Sequence, residues 1–234
     1  MKKLIMCDLD CTLLPIKQSE FDKLFYQDVS KIFSLHGYDS EKMLDHVKKG
    51  FYAMYFNNGE KTNEEAFFDA SLSDSGITKE EMLRAFDEYY ETHYENIRET
   101  SWFNPYAEEI VNLIEEHADK KVLATQAMFP LYAVDKRMHW TGISADRFDF
   151  VTTYDSSSFC KPNVGYYEEI LDKFNVSAKD ALMIGNDVKE DILPCKSLGV
   201  DTFLVTDQII THNLDYSDLK RGTYSDLIKF LKEV

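Results

Sequence analysis

The chain has 234 residues, with 26 Lys or Arg against 42 Asp or Glu, a formal net charge of −16. Against a prior of roughly 150 residues per domain, that length predicts one large domain or two modest ones. A composition of 44% hydrophobic and 14% aromatic residues excludes global disorder. The negative field excludes a general nucleic-acid partner, because a phosphate backbone needs a basic footprint. Any anionic ligand must therefore meet a local positive group or a metal ion.

The opening Met-Lys-Lys-Leu-Ile-Met-Cys imitates the start of a signal peptide, but Asp8 and Asp10 interrupt the apolar run. No stretch approaches the ~18 apolar residues of a membrane span. The expectation is a soluble, cytoplasmic chain with no membrane partner. Cys7, Cys11, Cys160 and Cys195 form no CxxC, and the six His lack zinc-ligand spacing. The thiols read as reduced and packed.

Residues 2–9 read as a short buried strand. From about residue 19 the period changes: Phe21, Leu24, Phe25, Val29, Ile32 and Phe33 recur at helical spacing until Gly37. Further helices fit 40–56, 63–74 and 79–97, two of them opened by the capping boxes Thr62-x-x-Glu65 and Thr78-x-x-Glu81. Residues 15–102 thus form a helical block without a strand. After Asn104-Pro105 come a helix (105–118), a strand (121–125), a helix (130–140) and a strand near 149–153. Then follow a helix after Lys161-Pro162, a strand (181–185), a helix from Asp187, a strand (200–205) and a last helix (224–233). This alternation predicts an α/β fold: a doubly wound, Rossmann-like parallel-sheet core of residues 1–14 and 103–234, with residues 15–102 inserted as an all-helical domain.

In open parallel sheets, ligands collect beyond the carboxyl ends of the strands. The residues expected there are Asp8, Asp10 and Thr12 after the first strand, Thr125-Gln126 after the second, Lys161, and Gly185-Asn186-Asp187 with Asp191 one helical turn on. No GxG, GxSxG or HExxH occurs, which removes dinucleotide, serine-hydrolase and zinc-protease readings. Carboxylate and metal chemistry remains. A hard cation such as Mg²⁺ takes one or two carboxylates plus substrate oxygens, and Asp8, the Asp10 carbonyl and Asp187 make a partial shell. Singly, each residue has a plainer reading: acidic pairs cap strand ends, Thr125 is a β-branched strand residue, Lys161 is a solvated lysine, and Asp187 and Asp191 suit a helix N-terminus.

Together, in this order, the elements resemble the haloacid dehalogenase superfamily. Asp8-Leu9-Asp10-Cys11-Thr12 matches its first motif, Thr125 the second, Lys161 the third, and Gly185-Asn186-Asp187-x-x-x-Asp191 the fourth, with Asn186 standing where many relatives have Asp. The resemblance implies that 15–102 is a helical cap, and that Asp8 is a nucleophile forming an aspartyl phosphate. It implies Asp10 as acid and then base, Thr125 as a phosphoryl-oxygen ligand, Lys161 as a charge partner, and Asp187 on Mg²⁺ with Asn186 and Asp191 behind it. Asp10 favours the phosphatase branch, acting on a small phosphorylated metabolite. In the cap, Asn57 and Asn58 lie on an Asn-Asn-Gly turn between two helices and are expected to dip toward Asp8 and contact substrate, as are Thr12 and Gln126. A sugar phosphomutase is the nearest alternative, and a non-catalytic phosphometabolite binder a more distant one.

Overall fold

The structure, a computed structural model, describes residues 1–234. Six strands form one sheet: β1 (Lys2–Cys7), β2 (Ala118–Leu123), β3 (Phe150–Val151), β4 (Ala181–Gly185), β5 (Asp201–Val205) and β6 (Arg221–Gly222). Their order is β3-β2-β1-β4-β5-β6, and all neighbours are parallel. β1 is central, with Cys7 opposite Leu123 on one side and Ile184 on the other. The chain winds outward in both directions from β1, which makes its carboxyl end the switch point where crevices open.

Leu4, Ile5, Met6 and Cys7 are all fully buried, as a strand covered on both faces must be. Successive side chains point to opposite faces. Leu4 and Met6 join Tyr166 and Ile170 of α7 (Val164–Phe174), whereas Ile5 and Cys7 join Ile110 of α5 (Ala107–His117) and Leu227 of α9 (Tyr224–Leu231). The α/β core is therefore doubly wound.

Between β1 and β2 the chain forms only helices: α1 (Gln18–Leu35), α2 (Ser40–Tyr55), α3 (Asn63–Leu72), α4 (Lys79–Thr92) and a 3₁₀ segment, Tyr94–Thr100. Both capping boxes form, with Thr62 and Glu65, and Thr78 and Glu81, satisfying each other's backbone N–H groups. Entry and exit run side by side, with Lys17 N–H donating to Thr100 O at 2.9 Å and Trp102 N–H to Pro15 O at 3.1 Å. The buried Asn63 side chain ties α3 to the core, donating to Ala127 O at 2.9 Å and Phe159 O at 3.1 Å.

Several element ends differ from expectation. The 79–97 helix stops at Thr92 and tightens to 3₁₀. The strand expected at 121–125 begins at Ala118, and Ala124 N–H still bonds Cys7 O at 2.8 Å. The helix expected after Lys161-Pro162 begins at Val164, capped by Asn163, whose side chain accepts from Gly165 N–H at 2.9 Å. The helix expected from Asp187 is a wide π-type turn, Val188–Ile192, leading into α8 (Leu193–Leu198). β6 has only two residues and no apolar pattern to announce it. All four cysteines are free and buried. No helix is long and apolar enough to cross a membrane.

Candidate active site

A cavity of about 430 Å³ opens beyond β1, β2 and β4. Its floor brings together Asp8, Asp10, Thr125 and Lys161, with Asn186, Asp187 and Asp191 beside them. After Asp8 the chain leaves the strand. Cys11 sits at φ +61°, its N–H bonds Leu14 O at 2.8 Å, and Leu14 N–H bonds Leu9 O at 2.9 Å. This turn releases Asp8 and Asp10 from the pleat that would have set their charges on one face.

Each oxygen of Asp8 is fixed. Lys161 Nζ donates to Oδ1 at 2.8 Å and Thr12 Oγ1 to Oδ2 at 2.9 Å. Lys161 is only 2% exposed and also donates to Asp191 Oδ1 at 2.7 Å. Burial pulls its ammonium down, but Asp191 and Asp8 outweigh that and hold its pKa well above the ordinary lysine value. One ammonium cannot fully neutralise two buried carboxylates, and burial pushes Asp191 up while Lys161 opposes. Asp191 fits there because residue 185 is glycine: a Cβ at Gly185 would lie 2.2 Å from Asp191 Oδ2.

Asp10 is held by a residue whose role the motif reading did not foresee. Arg137, on α6 (Leu131–Trp140), brings Nη1 to 3.1 Å from Asp10 Oδ2. Asp10 Oδ1 has no partner. Burial raises the Asp10 carboxyl above its usual range, with Arg137 pulling the other way. Thr125 is fully buried, and its hydroxyl also has no partner although it lines the cavity. Its carbonyl is pinned by Tyr166 Oη and Thr152 Oγ1, both at 2.7 Å.

Asp187 caps its turn, Oδ1 accepting from the N–H groups of Lys189 and Glu190 at 2.8 Å, while Oδ2 lies 2.7 Å from His212 Nε2. Burial, then the Asp187 charge, pushes Glu190 up to about 6. No three His, Cys, Asp or Glu side chains converge as a complete metal shell. Among the oxygen donors lining the cavity are the carboxylates of Asp8 and Asp187 and the amide of Asn186. That set suits a hard divalent ion whose remaining ligands are water and substrate.

Three expectations, for Asn57, Asn58 and Thr12, need correction. Asn57 and Asn58 border a separate surface hollow with Lys61 and Asp69, not the cavity containing Asp8. The turn packs on the core loop instead: a Cβ at Gly59 (φ +88°) would meet the Phe159 ring at 2.3 Å, and Asn57 Nδ2 bonds Asn63 Oδ1 at 2.9 Å. The helical wall of the cavity comes from α1 and α2, through Phe21, Asp22, Phe25, Tyr26 and Phe51. Thr12 is buried behind Asp8, bonded also to Asn186 Oδ1 at 3.0 Å, and is not on the cavity wall. Gln126 lies on the cavity wall as expected, and its amide also clamps the Lys161 backbone, accepting from N–H at 3.0 Å and donating to O at 3.1 Å. No motif in the sequence marks Arg137, Glu190 or His212.

A carboxylate cluster bridged by one buried lysine at the switch point of a doubly wound sheet defines a class of hydrolase. The chain belongs to the haloacid dehalogenase-like hydrolases, whose family model matches residues 5–205. It is 34% identical over 90 residues to the glyceraldehyde 3-phosphate phosphatase of Methanothermobacter thermautotrophicus, a match spanning 37% of this chain and 39% of that relative. Among solved structures it resembles 2-haloacid dehalogenase from Pseudomonas syringae (TM-score 0.66, 16% identity, 100% of this chain and 99% of that one). It also resembles a phosphatase of the superfamily from Thermococcus onnurineus (TM-score 0.58, 20% identity, 98% and 97%). A third is the hydrolase YfnB from Bacillus subtilis, solved with magnesium (TM-score 0.57, 16% identity, 98% of both). At these identities the structural likenesses establish the fold.

Proposed function

We propose that the protein is a Mg²⁺-dependent phosphatase that hydrolyses a small phosphate monoester through an aspartyl phosphate on Asp8. The observation that carries this reading is the division of labour in one cavity. Asp8 has both oxygens fixed, whereas Asp10 Oδ1 and Thr125 Oγ1 are buried without partners. Buried polar atoms left unbonded in a native site call for an explanation, and a substrate phosphoryl group with its leaving oxygen supplies both missing partners.

Asp8 attacks phosphorus, forming an O–P bond as the ester P–O bond breaks. Asp10 delivers its proton to the leaving alkoxide, a role that burial favours by raising the carboxyl's affinity for a proton, against the pull of Arg137. Thr125 donates to a phosphoryl oxygen, and Lys161 offsets the charge shared with Asp8. Asp10, now ionised, takes a proton from water as that water attacks phosphorus, which releases inorganic phosphate and restores Asp8. Asp8, the Asp10 carbonyl and Asp187 would hold Mg²⁺, with Asn186 and Asp191 behind them. The ion supplies positive charge where a dianionic ester meets a carboxylate-rich cavity.

Residues 15–102 act as a cap over the α/β core of 1–14 and 103–234, hinged where Pro15–Lys17 runs beside Thr100–Trp102. The interdomain movement described for magnesium-bound YfnB supports a hinge of this kind. A covered cavity favours small phosphorylated metabolites, the class to which the archaeal relative's named substrate belongs. The test is phosphate release from a panel of phosphorylated metabolites with Mg²⁺. Release that Asp8→Asn and chelation both abolish supports the proposal. Undiminished release by Asp8→Asn would overturn it.

A further inference from the structure

Asp187 is held from more directions than a turn cap needs. Its Oδ1 accepts from the N–H groups of Lys189 and Glu190, both at 2.8 Å. An ionised carboxylate offers about two acceptor positions per oxygen, so Oδ1 is full. Oδ2 keeps one position open, because its one protein partner is His212 Nε2 at 2.7 Å. Any cation that Asp187 takes must use that open position, beside the imidazole. Asp8, the other carboxylate of the shell, is fixed in the same way, by Lys161 on one oxygen and Thr12 on the other.

His212 is brought there by a strap, residues 206–212, that follows β5. Ile210 bonds on both sides of Asp187: its N–H donates to Asn186 O at 3.0 Å, and its carbonyl accepts from Val188 N–H at 2.9 Å. Asn186 Nδ2 donates to Gln208 O at 2.8 Å. The Gln208 side chain in turn clamps Ile16, accepting from its N–H at 3.1 Å and donating to its carbonyl at 3.3 Å. At the far end, Leu214 N–H closes a turn on Thr211 O at 2.8 Å. Inside that turn His212 and Asn213 take φ +50° and +60°, a left-handed conformation that residues with a Cβ seldom adopt. His212 lines the cavity, and a sparsely populated backbone at such a wall persists where the surrounding bonds enforce it and function uses it.

We propose that His212 is a positioning residue for the metal: its Nε2–H fixes the Asp187 carboxylate, holds the open position of Oδ2 at the cavity, and thereby sets the affinity for Mg²⁺. This deepens the Mg²⁺-dependent phosphatase reading and rests on it. Hydrogen-bond partners behind a metal-binding side chain commonly change metal affinity by about 10–100-fold. The kind of donor matters as well. An imidazole can donate from Nε2 without carrying charge. A lysine in the same place would also donate, but its permanent charge would oppose the divalent ion that the carboxylate is there to hold.

Calorimetric titration of the substrate-free protein with MgCl₂ tests this independently of turnover. His212→Ala should weaken Mg²⁺ binding by about tenfold or more. His212→Gln, whose amide nitrogen reaches about as far as Nε2, should recover most of that loss. His212→Lys should not recover it, although it too can donate. The imidazole is 37% exposed, so each variant should fold, and metal-free melting curves check that it has. Mg²⁺ bound by His212→Ala as tightly as by the unaltered protein, or more tightly, would overturn the inference and leave the phosphatase reading standing. Binding as weak in His212→Gln as in His212→Ala would overturn it too, because a neutral donor would then not be what the site uses. No binding of Mg²⁺ by the unaltered protein would overturn both the inference and the metal role on which it rests.

Discussion

Asp10 and Thr125 stand alike in the cavity, each with a buried oxygen that nothing in the protein satisfies, and each gives a distinct signature on substitution. Asp10→Asn removes the acid and the base, a role worth about 10²–10⁴-fold. An aryl phosphate has a good leaving group, so its first step should suffer far less than that of an alkyl phosphate, leaving a burst of phenol before slow turnover. Stopped-flow absorbance with both substrate types checks this, and equal losses without a burst would assign Asp10 to the metal or the fold. Thr125→Val should leave stability unchanged or slightly raised, because no protein hydrogen bond is lost. It should weaken phosphate binding by about 0.5–1.5 kcal/mol, read as a higher KM alongside an unchanged melting curve. Gly185→Ala differs in kind. With Asp191 Oδ2 in the way, the added methyl should cost about 1–3 kcal/mol by overpacking and displace Asp191 from Lys161, visible in denaturant unfolding and in turnover. At this scale Asp8, Asp10, Lys161 and Asp187 were legible in sequence because spacing around strand ends fixes where they go. Arg137 was not, since a basic residue on an amphipathic helix reads as solvated until the fold buries it against Phe129 and Asp10.

Elements were legible where a single period ruled. The four helices of the insertion showed their apolar stripes and two capping boxes, and β1, β4 and β5 showed as short apolar runs bounded by polar turns. What pattern could not show was how the insertion faces the core. The Asn-Asn-Gly turn has the polarity of a substrate loop, yet Gly59 lets it settle on the Phe159 ring, and α1 and α2 supply the wall instead. Asn63 is the fastener of that arrangement. Asn63→Ala would leave the Ala127 and Phe159 carbonyls without their donor, at a cost of about 1–3 kcal/mol. Hydrogen exchange should then rise at the α3 N-terminus and in residues 154–160 before it rises in β1. Uniform exchange across the chain would mean that the contact is not the fastener.

For the molecule as a whole, composition indicated a packed core, the alternation of strands and helices indicated the α/β fold, and the net charge of −16 indicated that any anionic ligand must meet a local positive group or a metal ion. Four buried thiols follow from the same packing. Burial pushes Cys11 up to about 12 and raises Cys7, Cys160 and Cys195 as well. A thiol-disulfide reagent at pH 8 should therefore titrate all four only after denaturation, and rapid labelling of the native protein would contradict the packing.

The central claim is that Asp8 carries the phosphoryl group between two half-reactions. Acid quenching of Asp10→Asn during turnover of an aryl phosphate with Mg²⁺, followed by peptide mass spectrometry, tests it most directly. The account predicts one acid-stable, hydroxylamine-labile phosphoryl group on the peptide containing Asp8, absent from the Asp8→Asn, Asp10→Asn double variant. Turnover that leaves the Asp8 peptide unmodified, with the phosphoryl group found on another residue, would contradict it.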